Sequence, residues 1–199
     1  MPDSLHLSLW LRDPDLADVI KACLSAMRNF PFSAQRQGIA YMSLHPVSWN
    51  EATILEQRFH PAVPPEEAVQ LAAEQLHDDY AYVFEAAWDL WMPLESSESE
   101  EWTLRPSAVK FIARGPEFDD GSYEQEGHVE IDFGGDTPFL QEQTKLTADA
   151  EDKIRLNVQK LVEFSAKIEQ NSGASARLLW SESEENLAQK LIARLQKVQ

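Results

Sequence analysis

His128-Val129-Glu130-Ile131-Asp132 is the stretch in which side-chain type and spacing come nearest to chemistry. In an extended strand alternate residues point the same way at roughly 6.6 Å intervals, so His128, Glu130 and Asp132 share one face. An imidazole and two carboxylates in a row could hold a divalent metal, which could polarise a substrate oxygen or activate water. Asp119 and Asp120 would join that set if the loop before the strand folds back. The same pattern also describes a solvated strand face whose opposite residues, Val129, Ile131 and Phe133, fill the core, because an H-x-E-x-D row has no geometric specificity of its own.

The segment 115–124 is rich in carboxylates but lacks the ligand spacing of an EF-hand. Asp119 and Asp120 could act as general acid and base only where their surroundings separate the two pKa values. Trp88, Trp91 and Trp102 flank the Met92-Pro93 corner, with Glu85 and Asp89 close by, a combination found at protein-binding hot spots and on carbohydrate platforms. Trp88 and Trp91 fall on opposite strand faces, so at least one belongs to the core. Cys23, the only cysteine, lies on the apolar stripe of a predicted helix and reads as core, which excludes an internal disulfide and multi-cysteine metal sites. His6, His45, His60 and His77 are scattered. No H-E-x-x-H, P-loop, G-x-G-x-x-G or G-x-S-x-G pattern occurs, and no catalytic residue is assigned.

Charge points instead to binding. The chain has 199 residues and a net charge of −17. Residues 66–136 hold nineteen carboxylates against Arg105, Lys110 and Arg114, whereas residues 141–199 hold nine charges of each sign. Such a field repels nucleic-acid phosphates and anionic membranes and attracts basic partners or cations. The leading expectation is an interaction module for a basic protein partner. Glu95, Glu98, Glu100, Glu101, Asp119, Asp120 and Glu124 would steer association, and Trp91 or Trp102 would anchor it. In size and charge alone the chain resembles bacterial toxin-immunity proteins. The alternative is a metal-dependent enzyme or metal-binding protein built on His128, Glu130 and Asp132; without that metal no cofactor is expected. Self-repulsion predicts a monomer or modest homodimer. The opening residues lack a basic signal-peptide region and no run approaches a membrane span, so the expected compartment is the cytoplasm.

These residues must be positioned by recognisable elements. Leu5, Leu7, Leu9 and Leu11 alternate with polar residues and predict a strand. Asp13 as cap and Pro14 as first helical residue introduce a helix to about Arg28. Strands are predicted over 38–44 and 52–59, then a helix from Glu66-Glu67 to near 77–79. A long strand over 80–92 should bend or bulge near Ala86-Ala87. Strands at 102–114, with Pro106 at a bulge or edge, and at 128–133 follow. Thr147 caps a helix through Gln170 whose buried side comprises Ile154, Val158, Leu161, Val162, Ser165 and Ile168. Residues 176–180 form a short strand or packed segment, and Ser181 with Glu184 forms a capping box before a terminal helix carrying Leu187, Leu191, Leu195 and Val198.

Together these elements predict one α+β domain over 1–199, with a mainly antiparallel sheet, a ferredoxin-like β-α-β-β-α-β start, two further strands and two C-terminal helices.

Overall fold

Every strand runs antiparallel to its neighbours, in a seven-stranded sheet of order β3-β2-β4-β5-β6-β1-β7. A computed structural model describes residues 3–94, 101–141, 146–182 and 187–196. Its strands are β1 (Ser4–Trp10), β2 (Ile39–Pro46), β3 (Leu55–Val63), β4 (Tyr80–Pro93), β5 (Trp102–Arg114), β6 (Val129–Gly135) and β7 (Ala176–Ser181). The helices are α1 (Leu16–Arg28), α2 (Pro65–Ala73), a single turn α3 (Tyr123–Glu126), α4 (Ala148–Asn171) and α5 (Leu187–Gln196). The fold is therefore mixed α+β. Among the described residues no helix is long and apolar enough to cross a membrane.

The β-α-β-β-α-β order is present from β1 to β4, but the pairing is not that of a split ferredoxin-like unit. β1 pairs with β6 and β7 and with none of β2, β3 and β4. β5 and β6 lie between β1 and β4 in the sheet, because the β4–β5 hairpin and then β6 pair with their sequence neighbours before β1 is reached. That hairpin is a continuous ladder of 13 residue pairs, from Ala81 opposite Arg114 to Pro93 opposite Trp102, without a register shift. The bulge expected at Ala86-Ala87 is absent, since β5 matches β4 in length and partners it throughout. Pro106 pairs with Asp89 where β5 has no second neighbour, because β6 pairs only with Lys110 to Ala113. It occupies an edge position, where a missing N–H removes no ladder bond.

One sheet face packs against α1, α2 and α4, and α5 packs on α4 and β7. Leu5, Leu7 and Leu9 are fully buried there, beside Phe111, Val129, Ile131 and Phe133. Phe30 meets both Phe111 and Phe164 edge-on with ring centroids 5.2 Å apart, and Trp88 stacks on Phe133 at the same separation. Cys23 is core, and burial pushes its thiol pKa up to about 12.

Local corrections follow from the geometry. Asp15, not Asp13, caps α1, its side chain accepting the Asp18 amide at 2.8 Å while Asp18 returns a bond. Pro14 therefore precedes the cap rather than opening the helix. The buried side of α4 contains Asn157 and Phe164 instead of the exposed Val162, because at 100° per residue position 162 lies about a quarter turn from the stripe through Ile154, Leu161 and Ile168. Glu184 and Val198 lie outside the described residues.

Candidate functional site

The sheet face turned away from α1 and α4 carries polar side chains in register. His6 lies opposite Asp132, Ser8 opposite Glu130, and Ile112 opposite Glu130 on the other side. Glu130, expected to be a metal ligand or to face solvent, is only 5% exposed and so does not face solvent. One carboxylate oxygen is 2.7 Å from His6 Nδ1, and the other receives a charge-assisted bond from Arg114 Nη2. Arg114, itself 2% exposed, also pairs with Glu126 at 2.8 Å and donates to the Gly127 carbonyl at 3.4 Å.

Burial alone would raise the Glu130 pKa, but the close His6 imidazole and the Arg114 charge outweigh it and hold it below the ordinary range. Burial likewise opposes charge on His6, yet Glu130, Asp132 and Glu182 raise its pKa overall. The His6 ring stacks on Trp180 at 4.4 Å, and Trp180 Nε1 donates to Ser8 Oγ at 2.9 Å.

The other members of the row are engaged separately. His128 Nδ1 accepts the Leu11 amide at 3.1 Å, its ring stacks on Tyr123 at 4.4 Å, and burial lowers its pKa. Asp132 accepts the Gly134 amide at 2.8 Å. Among the described residues no group of three or more His, Cys, Asp or Glu is placed to hold a metal ion. The row is thus a structural seam: Glu130 is matched by a cation from β5 that local sequence does not reveal.

Arg114 connects this seam to three loops at one end of the sheet, residues 47–54, 74–79 and 115–127. The Val47 amide donates to Asp79 O and the Asp119 amide to Val47 O, both at 2.7 Å, while the Glu117 amide reaches Asp78 O at 2.8 Å. Close approach is required: a Cβ on Gly115 would stand 2.2 Å from Asp78 O. Gly127, at φ +93°, returns the third loop to β6 where a Cβ would lie 2.9 Å from Leu9 N.

The backbone at this end is strained. Val47 adopts φ 61°, Asp119 49° and Asp120 54°. Asp tolerates the left-handed region, but for a β-branched residue that conformation is an outlier sustained only by surrounding bonds. Its result is that Val47 is 54% exposed, beside Trp49 at 37%. The Trp49 ring packs on Phe118 (4.9 Å) and His45 (5.0 Å), with the Arg114 guanidinium 5.8 Å from its centroid. Leu76, Asp78, Glu117, Asp120 and Glu124 are exposed on the same loops, and Asp119 is partly so.

The acidic segment does not form one patch. Asp119, Asp120 and Glu124 lie at this end, whereas Glu101 belongs to the turn at the far end of the β4–β5 hairpin, where the Leu94 amide bonds its carbonyl at 2.8 Å. Glu95, Glu98 and Glu100 lie outside the described residues. Trp91 is also at the far end, half-buried, with Lys153 Nζ 4.8 Å from its ring centroid. Trp102 is 5% exposed and joins the core, so it presents no anchoring surface. The residues missed from sequence are Val47, Trp49, Arg114 and His6; an aromatic and a β-branched residue inside the Pro46–Asn50 turn were the available signal. Comparison with protein-family models, curated proteins and solved structures found no match for this chain.

Proposed function

We propose that this chain is a cytoplasmic protein-binding module that docks a basic partner on the loop end formed by residues 47–54, 74–79 and 115–127. The observation that carries the reading is Val47: a β-branched residue held at positive φ by hydrogen bonds to Asp79 and Asp119, so that two exposed apolar side chains sit among carboxylates. Strain of this kind costs about 1–3 kcal/mol and persists where the surroundings enforce it. An apolar centre with an acidic rim matches a partner that brings an aliphatic or aromatic anchor surrounded by Lys or Arg, the rim raising the association rate and the centre supplying affinity.

Affinity capture at about 50 mM salt compares wild type with Trp49→Ala and with the charge-neutral triple variant Asp119→Asn, Asp120→Asn, Glu124→Gln. A basic protein retained by wild type, weakened by Trp49→Ala and lost with the triple variant or at high salt, supports the reading. Retention indifferent to both variants, or no basic protein retained at low salt, overturns it.

A further inference from the structure

A second surface lies at the other end of the β4–β5 hairpin. Between α4 and the outer half of β4, which beyond Glu85 pairs with β5 alone, runs a cavity of about 430 Å³. Trp91, Leu104, Leu156 and Phe164 give it apolar walls, and Lys160 and Lys167 give it cations. Leu104 and Leu156 are each 49% exposed, so the groove is open. Lys153, Lys160 and Lys167 are seven residues apart and fall on one helical face, three of the eight lysines in a chain of net charge −17. Lys153 pairs with Asp149 at 2.8 Å and lies over Trp91. Lys160 donates one proton to Asp89 O at 2.5 Å and retains two. Glu163 stands at the rim, its carboxylate accepting from Gln159 Nε2 at 3.1 Å. The volume falls within the range of small-ligand sites.

We infer that this groove binds a small organic anion with a flat apolar body, its ring against Trp91, Leu104 and Leu156 and its carboxylate between Lys160 and Lys167. The ring gains apolar contact on three sides, and the carboxylate gains charge-assisted bonds that a neutral group of the same shape lacks. Burial lowers the Lys160 pKa and an anion beside it would raise it again, so binding there favours the ammonium form.

The test titrates the ¹⁵N-labelled full chain with 2-naphthoate and, separately, with neutral 2-naphthamide, following the tryptophan indole N–H signals; Trp91→Phe identifies the Trp91 resonance. A saturable shift of the Trp91 signal is expected, with naphthoate bound about five- to tenfold more tightly than naphthamide. Lys167→Gln, whose side chain is exposed, weakens naphthoate several-fold and leaves naphthamide unchanged, and Lys160→Gln does the same. Equal affinity for the two compounds, naphthoate binding indifferent to Lys167→Gln, or no saturable shift of Trp91 at about 1 mM ligand overturns the inference.

Discussion

Asn157 does for Trp91 what a neighbouring strand would do: its side-chain carbonyl accepts the Trp91 amide at 2.9 Å and its side-chain amide donates to the Trp91 carbonyl at 2.8 Å. The same amide nitrogen reaches Pro138 O at 2.9 Å, so a single side chain from α4 caps the edge left open where β2 ends. Asn157→Ala leaves these backbone groups without partners. Each unmade buried bond costs about 1–3 kcal/mol, and a net loss of about 3 kcal/mol is expected in urea unfolding.

Arg114→Met strands Glu130 as a buried charge facing only His6. A loss of about 3–5 kcal/mol is expected, and adding Glu130→Leu should return most of it, because removing both members of a buried pair is far less costly than removing one. Urea midpoints of the two single variants and the double variant check the coupling.

The pair also sets a pH window. His6 has a raised folded pKa, so its contribution is complete below its ordinary value of 6.5 and is lost as pH rises through the folded value. Glu130 has a lowered one, so its contribution is complete above 4.5 and is lost as pH falls through the folded value. Both act fully between those limits. His45 and His128, lowered chiefly by burial, undergo their changes below 6.5 and do not mask the alkaline limb. Urea midpoints from about pH 6.5 to 8.5 should therefore fall more for wild type than for His6→Gln.

Val47→Gly tests strain directly. Glycine adopts φ 61° freely, so stability should rise by about 0.5–1 kcal/mol despite glycine's unfolded-state entropy, while capture of a basic partner should weaken because an exposed apolar contact is gone. Loss of stability in thermal unfolding would show that the Val47 side chain contributes more to packing than its conformation costs.

Leu191, buried between α5 and the rest of the fold, should cost about 2–5 kcal/mol when cut to alanine, against less than about 0.5 kcal/mol for Ile192→Ala one residue along on the exposed face. Denaturant unfolding separates the two, and an unchanged midpoint for Leu191→Ala would make α5 an appendage.

Where hydrophobic period dominates, the sequence was legible: β5 spans the predicted residues 102–114, β4 ends within one residue of its predicted limit, and Cys23 is core. The candidate site was less so. Alternation placed His128, Glu130 and Asp132 on one face but could not show that Arg114 from another strand neutralises Glu130. Nor could composition show that a carboxylate-rich segment is drawn out along a hairpin, since Glu101 and Asp119 are close in sequence yet belong to opposite ends. Val47 illustrates the limit most clearly. Its local preference is for extended backbone, and only contacts from two distant loops impose the other conformation.

The unbroken β4–β5 ladder has a consequence for how the molecule can be used. Thirteen pairs at about 3.3 Å per residue separate its ends by roughly 40 Å, some five times the screening length of about 8 Å at physiological salt. Charge placed at Trp91 is electrically invisible at Asp119. With no register slip in the ladder to act as a joint, occupants of the two ends should behave additively, each leaving the other's affinity unchanged.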